Sequence, residues 1–221
     1  MASHWEKLIS GIGGFVAILC VFWVTAQFEQ SQNLHSFLVA SFGATAVLLF
    51  AAPSASLSQP WNVVGGHVVS ALIGVSIYQL LPDAVWGAAI AVGLSITAMY
   101  YLRCLHPPGG ASAAIPFLTS GVIEAYGYEY VFMPIGLGAV LMVFIAVLFN
   151  YPFVYRRYPA VLSKKTPRNQ LNELDDDYGN ISHADLVYAL SEIDTYVDIS
   201  EEELLRIYEL ATGRKHPNLK K

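Results

Sequence analysis

Phe42-Gly43-Ala44-Thr45-Ala46 and, sixty-seven residues later, Gly109-Gly110-Ala111-Ser112-Ala113 are near copies, and Phe50 keeps the same register with Phe117. Small residues of this kind let membrane helices pack closely. Around the copies, no Asp, Glu, Lys or Arg occurs between Glu29 and Asp83, and Arg103 is the sole charge between Asp83 and Glu124. Over 221 residues the chain is 55% hydrophobic and 13% charged, with a mean hydropathy of +0.47. Soluble domains carry roughly 25% charged residues, so this composition places the chain in a bilayer.

The charge is unevenly divided. Residues 1–155 hold Lys7 and Arg103 against Glu6, Glu29, Asp83, Glu124 and Glu129, whereas residues 156–221 hold ten basic and twelve acidic side chains. This predicts a transmembrane domain over 1–158 and a water-soluble linker and tail over 159–221. The net charge of −5 excludes nucleic-acid binding by bulk electrostatics. Cys20 and Cys104 stand in apolar stretches without metal-ligand spacing and read as small buried hydrophobes.

Turn residues and polar clusters divide the apolar sequence into six spans: Leu8–Ala26, His35–Ala52, Val63–Leu81, Val85–Leu102, Gly109–Ile123 and Tyr130–Val154. The fifth is shorter than the roughly 20 residues of a full span, which suits a tilted or re-entrant helix and leaves five spans as the competing count. With six spans and the N-terminus inside, Lys7, Arg103 and the cluster Arg156, Arg157, Lys164, Lys165 and Arg168 all fall on the cytoplasmic side. Glu29, Asp83, Glu124 and Glu129 then fall outside. Trp5, Trp61, Trp86, Tyr126, Tyr128, Tyr151 and Tyr155 near the span ends form an interfacial belt. The first apolar stretch is too long for a signal-peptide core, so it reads as a transmembrane helix.

In this topology the first copy begins span two, running inward, and the second begins span five, running outward. The fold expected is therefore an all-α membrane protein with six transmembrane segments in 3+3 inverted repeats and half-helix N-termini at the midplane, plus a small cytoplasmic helical hairpin. Such repeats in transporters aim helix N-termini at an anion near the midplane. Those termini carry unpaired N–H groups and about half a positive charge. Gly43, Ala44 and Thr45 would face Gly110, Ala111 and Ser112 across an anion cage, with backbone N–H groups as the main donors. Pro107 and Pro108 would give an extended approach to span five, and Pro116 would break or kink it.

Leu105-His106-Pro107-Pro108-Gly109-Gly110-Ala111-Ser112-Ala113 resembles the signature of the HPP family of integral membrane proteins. Ser41 to Phe50, Pro53, Gln59-Pro60, Asn62 and Gly65-Gly66-His67 resemble the family's other motif block, in the same order. The resemblance covers about residues 8 to 155. Some members in plants and cyanobacteria are nitrite transporters, so the resemblance implies transport of a small anion, nitrite foremost. A tail of about 60 residues leaves no room for the paired CBS modules that some relatives bear, which puts adenine-nucleotide regulation in doubt.

The expected substrate-binding set is Ser41, Gly43, Ala44, Thr45, Asn62, His67, Arg103, His106, Gly109, Gly110, Ala111 and Ser112. Arg103 reads either as a snorkelling anchor or as the charge that attracts an anion to the cytoplasmic mouth. His106 either caps backbone groups freed by the prolines or contacts the ligand and couples protons. His67 either makes an interhelical hydrogen bond or forms a two-histidine site with His106. No HExxH, GxSxG, Walker A or GxGxxG motif occurs, and no cofactor, metal or catalytic residue is expected.

Beyond Tyr158, Ser182–Thr195 and Ser200–Thr212 read as two short amphipathic helices, opened by a Ser-x-x-Asp cap and a capping box. Each is marginal alone, so their apolar faces need each other, the membrane domain or a neighbouring subunit of a homo-oligomer. Asp175-Asp176-Asp177 reads as a solvated linker. The alternative function is a membrane-anchored interaction protein acting through this tail. The expected location is an integral membrane position, the inner membrane in a bacterium, with both termini cytoplasmic.

Overall fold

The computed structural model describes residues 4–27, 34–82, 86–119, 121–153 and 156–162. Among the described residues seven α-helices run in order: α1 His4–Thr25, α2 Leu34–Ala51, α3 Pro60–Leu80, α4 Gly87–Tyr101, α5 Gly109–Leu118, α6 Val122–Tyr126 and α7 Leu137–Asn150. A 3-10 turn, Ser56–Ser58, precedes α3, and a π-helical turn, Val131–Gly136, leads into α7. By length and composition three helical stretches among the described residues can cross a membrane: α1, α3 and Val131–Asn150. Apolar parts of α2, α4 and α5 are shorter.

The first helix buries its smaller residues and presents its large ones. On α1, Gly13, Ala17, Val21 and Thr25 recur every fourth residue and are buried, while Leu8, Ile12, Phe15, Leu19 and Trp23 are exposed. An apolar exterior around a small-residue seam is what a lipid-facing helix requires, because lipid solvates large side chains and packing favours small ones. That seam meets α2 and α7, whereas α3 lies among α4, α5 and the π-helical turn.

Glycines set how closely α3 and α5 approach. A Cβ on Gly109 would stand 2.7 Å from the Gly66 carbonyl oxygen, and one on Gly74 would stand 2.5 Å from the Ala113 carbonyl oxygen. Backbone atoms cannot yield at such distances. Small residues at both ends of this crossing therefore fix the two helices backbone to backbone.

Two predicted spans end or break differently from expectation. Gly109–Ile123 stops at Leu118, two residues beyond Pro116, with Thr119 already extended. Tyr130–Val154 is interrupted at Met133, whose φ of −128° and ψ of 116° precede Pro134, a residue that cannot donate within a helix. Tyr158 is fully buried and the Ala160 N–H donates to Gln59 Oε1 at 2.9 Å, both within the first compact unit, Met1–Ser163. The predicted tail helices and the aspartate run lie outside the described residues.

Candidate functional site

Ser41 and Thr45 stand one turn apart on the buried face of α2, His67 on α3, Ser112 on α5, and His106 in the loop that joins α4 to α5. All five side chains are fully buried. The Thr45 hydroxyl lies 2.9 Å from His67 Nε2 and 3.0 Å from His106 Nε2. His67 Nδ1 lies 2.8 Å from the Ser112 hydroxyl, itself 3.1 Å from the Ser41 hydroxyl. Ser41 donates to the Pro108 carbonyl at 3.0 Å, and His106 Nδ1 donates to the Leu57 carbonyl at 2.9 Å. Two imidazoles and three hydroxyls thus form one continuous network.

Thr45 and Ser112 hold matching positions in the two sequence copies, and they grip opposite nitrogens of the same imidazole. Phe42 packs on the His67 ring at a centroid distance of 5.0 Å, and the two imidazoles meet edge to face at 5.0 Å. Gly66 makes room for the loop: a Cβ there would lie 2.5 Å from the His106 Cβ and 3.0 Å from the Cys104 carbonyl oxygen. Asn62 supports the same loop by donating from Nδ2 to the Leu105 carbonyl at 2.9 Å.

The rest of the predicted set lies elsewhere, and the backbone cage does not form. Gly43 to Thr45 are in the middle of α2, where N–H groups are spent on the preceding turn. Ala44 and Ala111 are exposed, and space around Gly43 is open. At the start of α5 the N–H groups of Gly109, Gly110 and Ala111 donate to the carbonyls of His106, Pro107 and Pro108 at 2.9 to 3.1 Å. Pro108, at φ −61° and ψ −21°, is already helical rather than extended. The first turn of α5 therefore spends its own donors. Gly109 serves the packing against Gly66 described above, and Gly110 is half-buried near Val92.

Arg103 is exposed and has a φ of 51°. Its N–H bonds the Tyr100 carbonyl at 3.1 Å and the Cys104 N–H bonds the Met99 carbonyl at 2.9 Å, the two bonds of a Schellman motif. Arg103 thus takes the left-handed position that ends α4, outside the buried network.

Two residues escaped the sequence reading. Tyr130 donates its phenol to the Ser112 carbonyl at 2.9 Å. Arg156, 4% exposed, donates from Nε to Asn150 Oδ1 at 3.0 Å, from Nη1 to the Ser10 hydroxyl at 3.2 Å and from Nη2 to the Phe50 carbonyl. The signal for Tyr130 was Pro116, which leaves the carbonyl four residues earlier without its helical donor. For Arg156 no local pattern set it apart from its basic neighbours.

Apolar helices lined outside by large hydrophobics, closed around a polar cluster of imidazoles and hydroxyls, define an integral membrane protein. Residues 1–159 match the HPP transmembrane region, and the chain belongs to the HPP family. It is 37% identical over 159 residues to a transmembrane protein of Dictyostelium discoideum, covering 70% of this chain and 49% of that one. A second Dictyostelium discoideum transmembrane protein is 38% identical over 127 residues, covering 55% of this chain and 44% of its own. The chain spans about half the length of these relatives. No solved structure matches it.

Proposed function

We propose that the domain carries a small inorganic anion across the bilayer, with nitrite as the first candidate, and that the cluster of Ser41, Thr45, His67, His106 and Ser112 is its binding centre. The observation that carries this reading is two imidazoles and three hydroxyls, fully buried together in one continuous network inside the domain. Ionisable groups at such depth are costly and mark substrate or proton routes. The donors are side chains rather than helix N-termini, and they come from both sequence copies. That supports six membrane-traversing segments in two inverted halves, with both termini cytoplasmic. A monovalent oxyanion suits the centre because neutral donors bind it weakly enough for release. No bond is made or broken in this function.

The test is nitrite uptake into sealed proteoliposomes, with and without an inward proton gradient, against protein-free vesicles because nitrous acid crosses unaided. Uptake well above that baseline, falling to it in His106→Ala and Ser112→Ala variants, is the expected result. Intact protein that stays at the baseline under both conditions refutes nitrite transport.

A further inference from the structure

The buried network holds fewer hydrogens than it has links. From Pro108 to Leu57 there are six links, through Ser41, Ser112, His67, Thr45 and His106. Five neutral side chains bring five polar hydrogens, one from each hydroxyl and one from each imidazole. The carbonyls at the two ends can only accept, and this fixes the direction of the four outer links. Ser41 donates to Pro108, so Ser112 must donate to Ser41 and His67 Nδ1 to Ser112. From the other end, His106 Nδ1 donates to Leu57.

Both Nε2 atoms are then left as acceptors, and both face the single hydrogen of Thr45. A further acceptor, the Ser41 carbonyl, lies 3.2 Å from the same hydroxyl. One Nε2 lone pair must therefore confront the Thr45 oxygen about 3 Å away without a hydrogen between them.

We propose that this centre is a binding site for one proton, held jointly by His67 and His106 across the Thr45 hydroxyl. With the proton on His67 Nε2, that N–H donates to Thr45 Oγ1 and the Thr45 hydroxyl donates to His106 Nε2, so all six links are filled. If His67 Nε2 passes its proton to Thr45 Oγ1 as the Thr45 hydrogen moves to His106 Nε2, the mirror arrangement results. No atom is gained or lost in the exchange.

A second proton is opposed by charge rather than by the count: Thr45 could accept from both rings and donate to the Ser41 carbonyl, but two imidazolium rings would then stand 5.0 Å apart with no charge between them. The proton reaches the centre at the His106 end, where Leu57 belongs to the half-buried turn before α3. Around the pair, the titratable groups are the Tyr130 phenol on the Ser112 carbonyl and the Cys104 thiol against Gly65. Arg103, in the same loop, is exposed. Among the described residues no carboxylate is hydrogen-bonded to either ring.

The proton count stands apart from the anion reading, and one consequence rests on it. An unaccompanied charge in this apolar surrounding is costly, so a monovalent anion that arrives with the proton offsets it. The substrate class is then a monovalent anion, moved one-to-one with a proton.

The experiment is nitrogen NMR of full-length protein in nanodiscs, labelled with 15N-histidine, with His4, His35, His183 and His216 replaced by Gln so that the pair alone reports. Between about pH 4 and about pH 9 both Nε2 signals should move together, with one midpoint and a total uptake of one proton. Thr45→Ser should keep this behaviour, and Thr45→Val should uncouple the two rings. Separate midpoints, titration of a single ring, or no change in either ring in the protein with Thr45 intact overturns the proposal, whatever the fate of the variants. Adding sodium nitrite should raise the shared midpoint. An unmoved midpoint with co-titration intact counts against the anion reading and leaves the proton site standing.

Discussion

The Tyr130 phenol donates to the carbonyl oxygen of Ser112, four residues before Pro116. Pro116 has no N–H to offer that carbonyl, so a side chain from the next helical segment takes the place of a backbone bond. Tyr130→Phe should therefore destabilise the domain by about 0.6–1.7 kcal/mol, the range for interhelical hydrogen bonds within folded membrane proteins. In a Pro116→Ala background, where the backbone can donate again, the same substitution should cost clearly less. Unfolding measured by denaturant titration in micelles as a double-mutant cycle checks this; equal costs in the two backgrounds would show that Tyr130 and Pro116 are not linked.

Arg156 and its neighbour Arg157 carry the same charge and should differ widely in effect. Arg156→Lys keeps the positive charge but cannot span Asn150 Oδ1, the Ser10 hydroxyl and the Phe50 carbonyl together. It should lower stability by about 2–3 kcal/mol, the scale for losing hydrogen bonds from a charged group. Arg157→Lys retains a cation near the Tyr151 ring, at 5.7 Å in the native chain, and should shift stability by under about 1 kcal/mol. Thermal melting with a thiol-reactive or fluorescent probe ranks the two variants, and similar losses would refute the clamp.

Glycine substitutions separate the buried network from the abandoned backbone cage. Gly66→Ala places a methyl group against His106 and the Cys104 carbonyl, and should cost about 1–3 kcal/mol through overpacking while reducing any transport. Gly43→Ala meets open space and should be neutral, or stabilising by up to about 1 kcal/mol through helix propensity. Loss of function at Gly43 with Gly66 unaffected would reverse the site assignment.

Arg103→Gly should leave uptake within about twofold of the unaltered protein and raise stability by about 0.5–1 kcal/mol, since glycine adopts the left-handed helix terminus without the Cβ penalty. Proteoliposome flux together with a melting curve checks both halves. A large loss of flux at unchanged stability would restore Arg103 to the anion's path.

Much of this arrangement was readable in the chain. The span starts expected at Val63, Val85 and Gly109 fall within about three residues of the observed helix starts Pro60, Gly87 and Gly109, because breakers and hydropathy act locally. For His67 the sequence left two readings open, an interhelical hydrogen bond and a shared site with His106; its ring is hydrogen-bonded to Thr45 and Ser112 and lies 5.0 Å from that of His106. What escaped depends on long-range partners. Whether an N–H at Gly109 is spare depends on the conformation of Pro108, and whether Gly43 opens a helix depends on where α2 begins, nine residues earlier at Leu34. The bonds of Ser41 to Pro108 and of Arg156 to Phe50 join residues 67 and 106 positions apart, and no helical period encodes such meetings.

The position of Arg156 also sets an order of assembly. Its guanidinium reaches Ser10 across 146 residues and the end of α2 across 106, so neither contact can form until α7 and the segment after it have been made. Until then the last carbonyls of α2 must be solvated by water or headgroups at the bilayer surface. Membrane insertion of the first helical pair is thus provisional, and the final helix is the part that locks it. A nascent chain arrested before residue 156 should retain a protease-sensitive or exchange-labile end on α2 that the finished protein has lost.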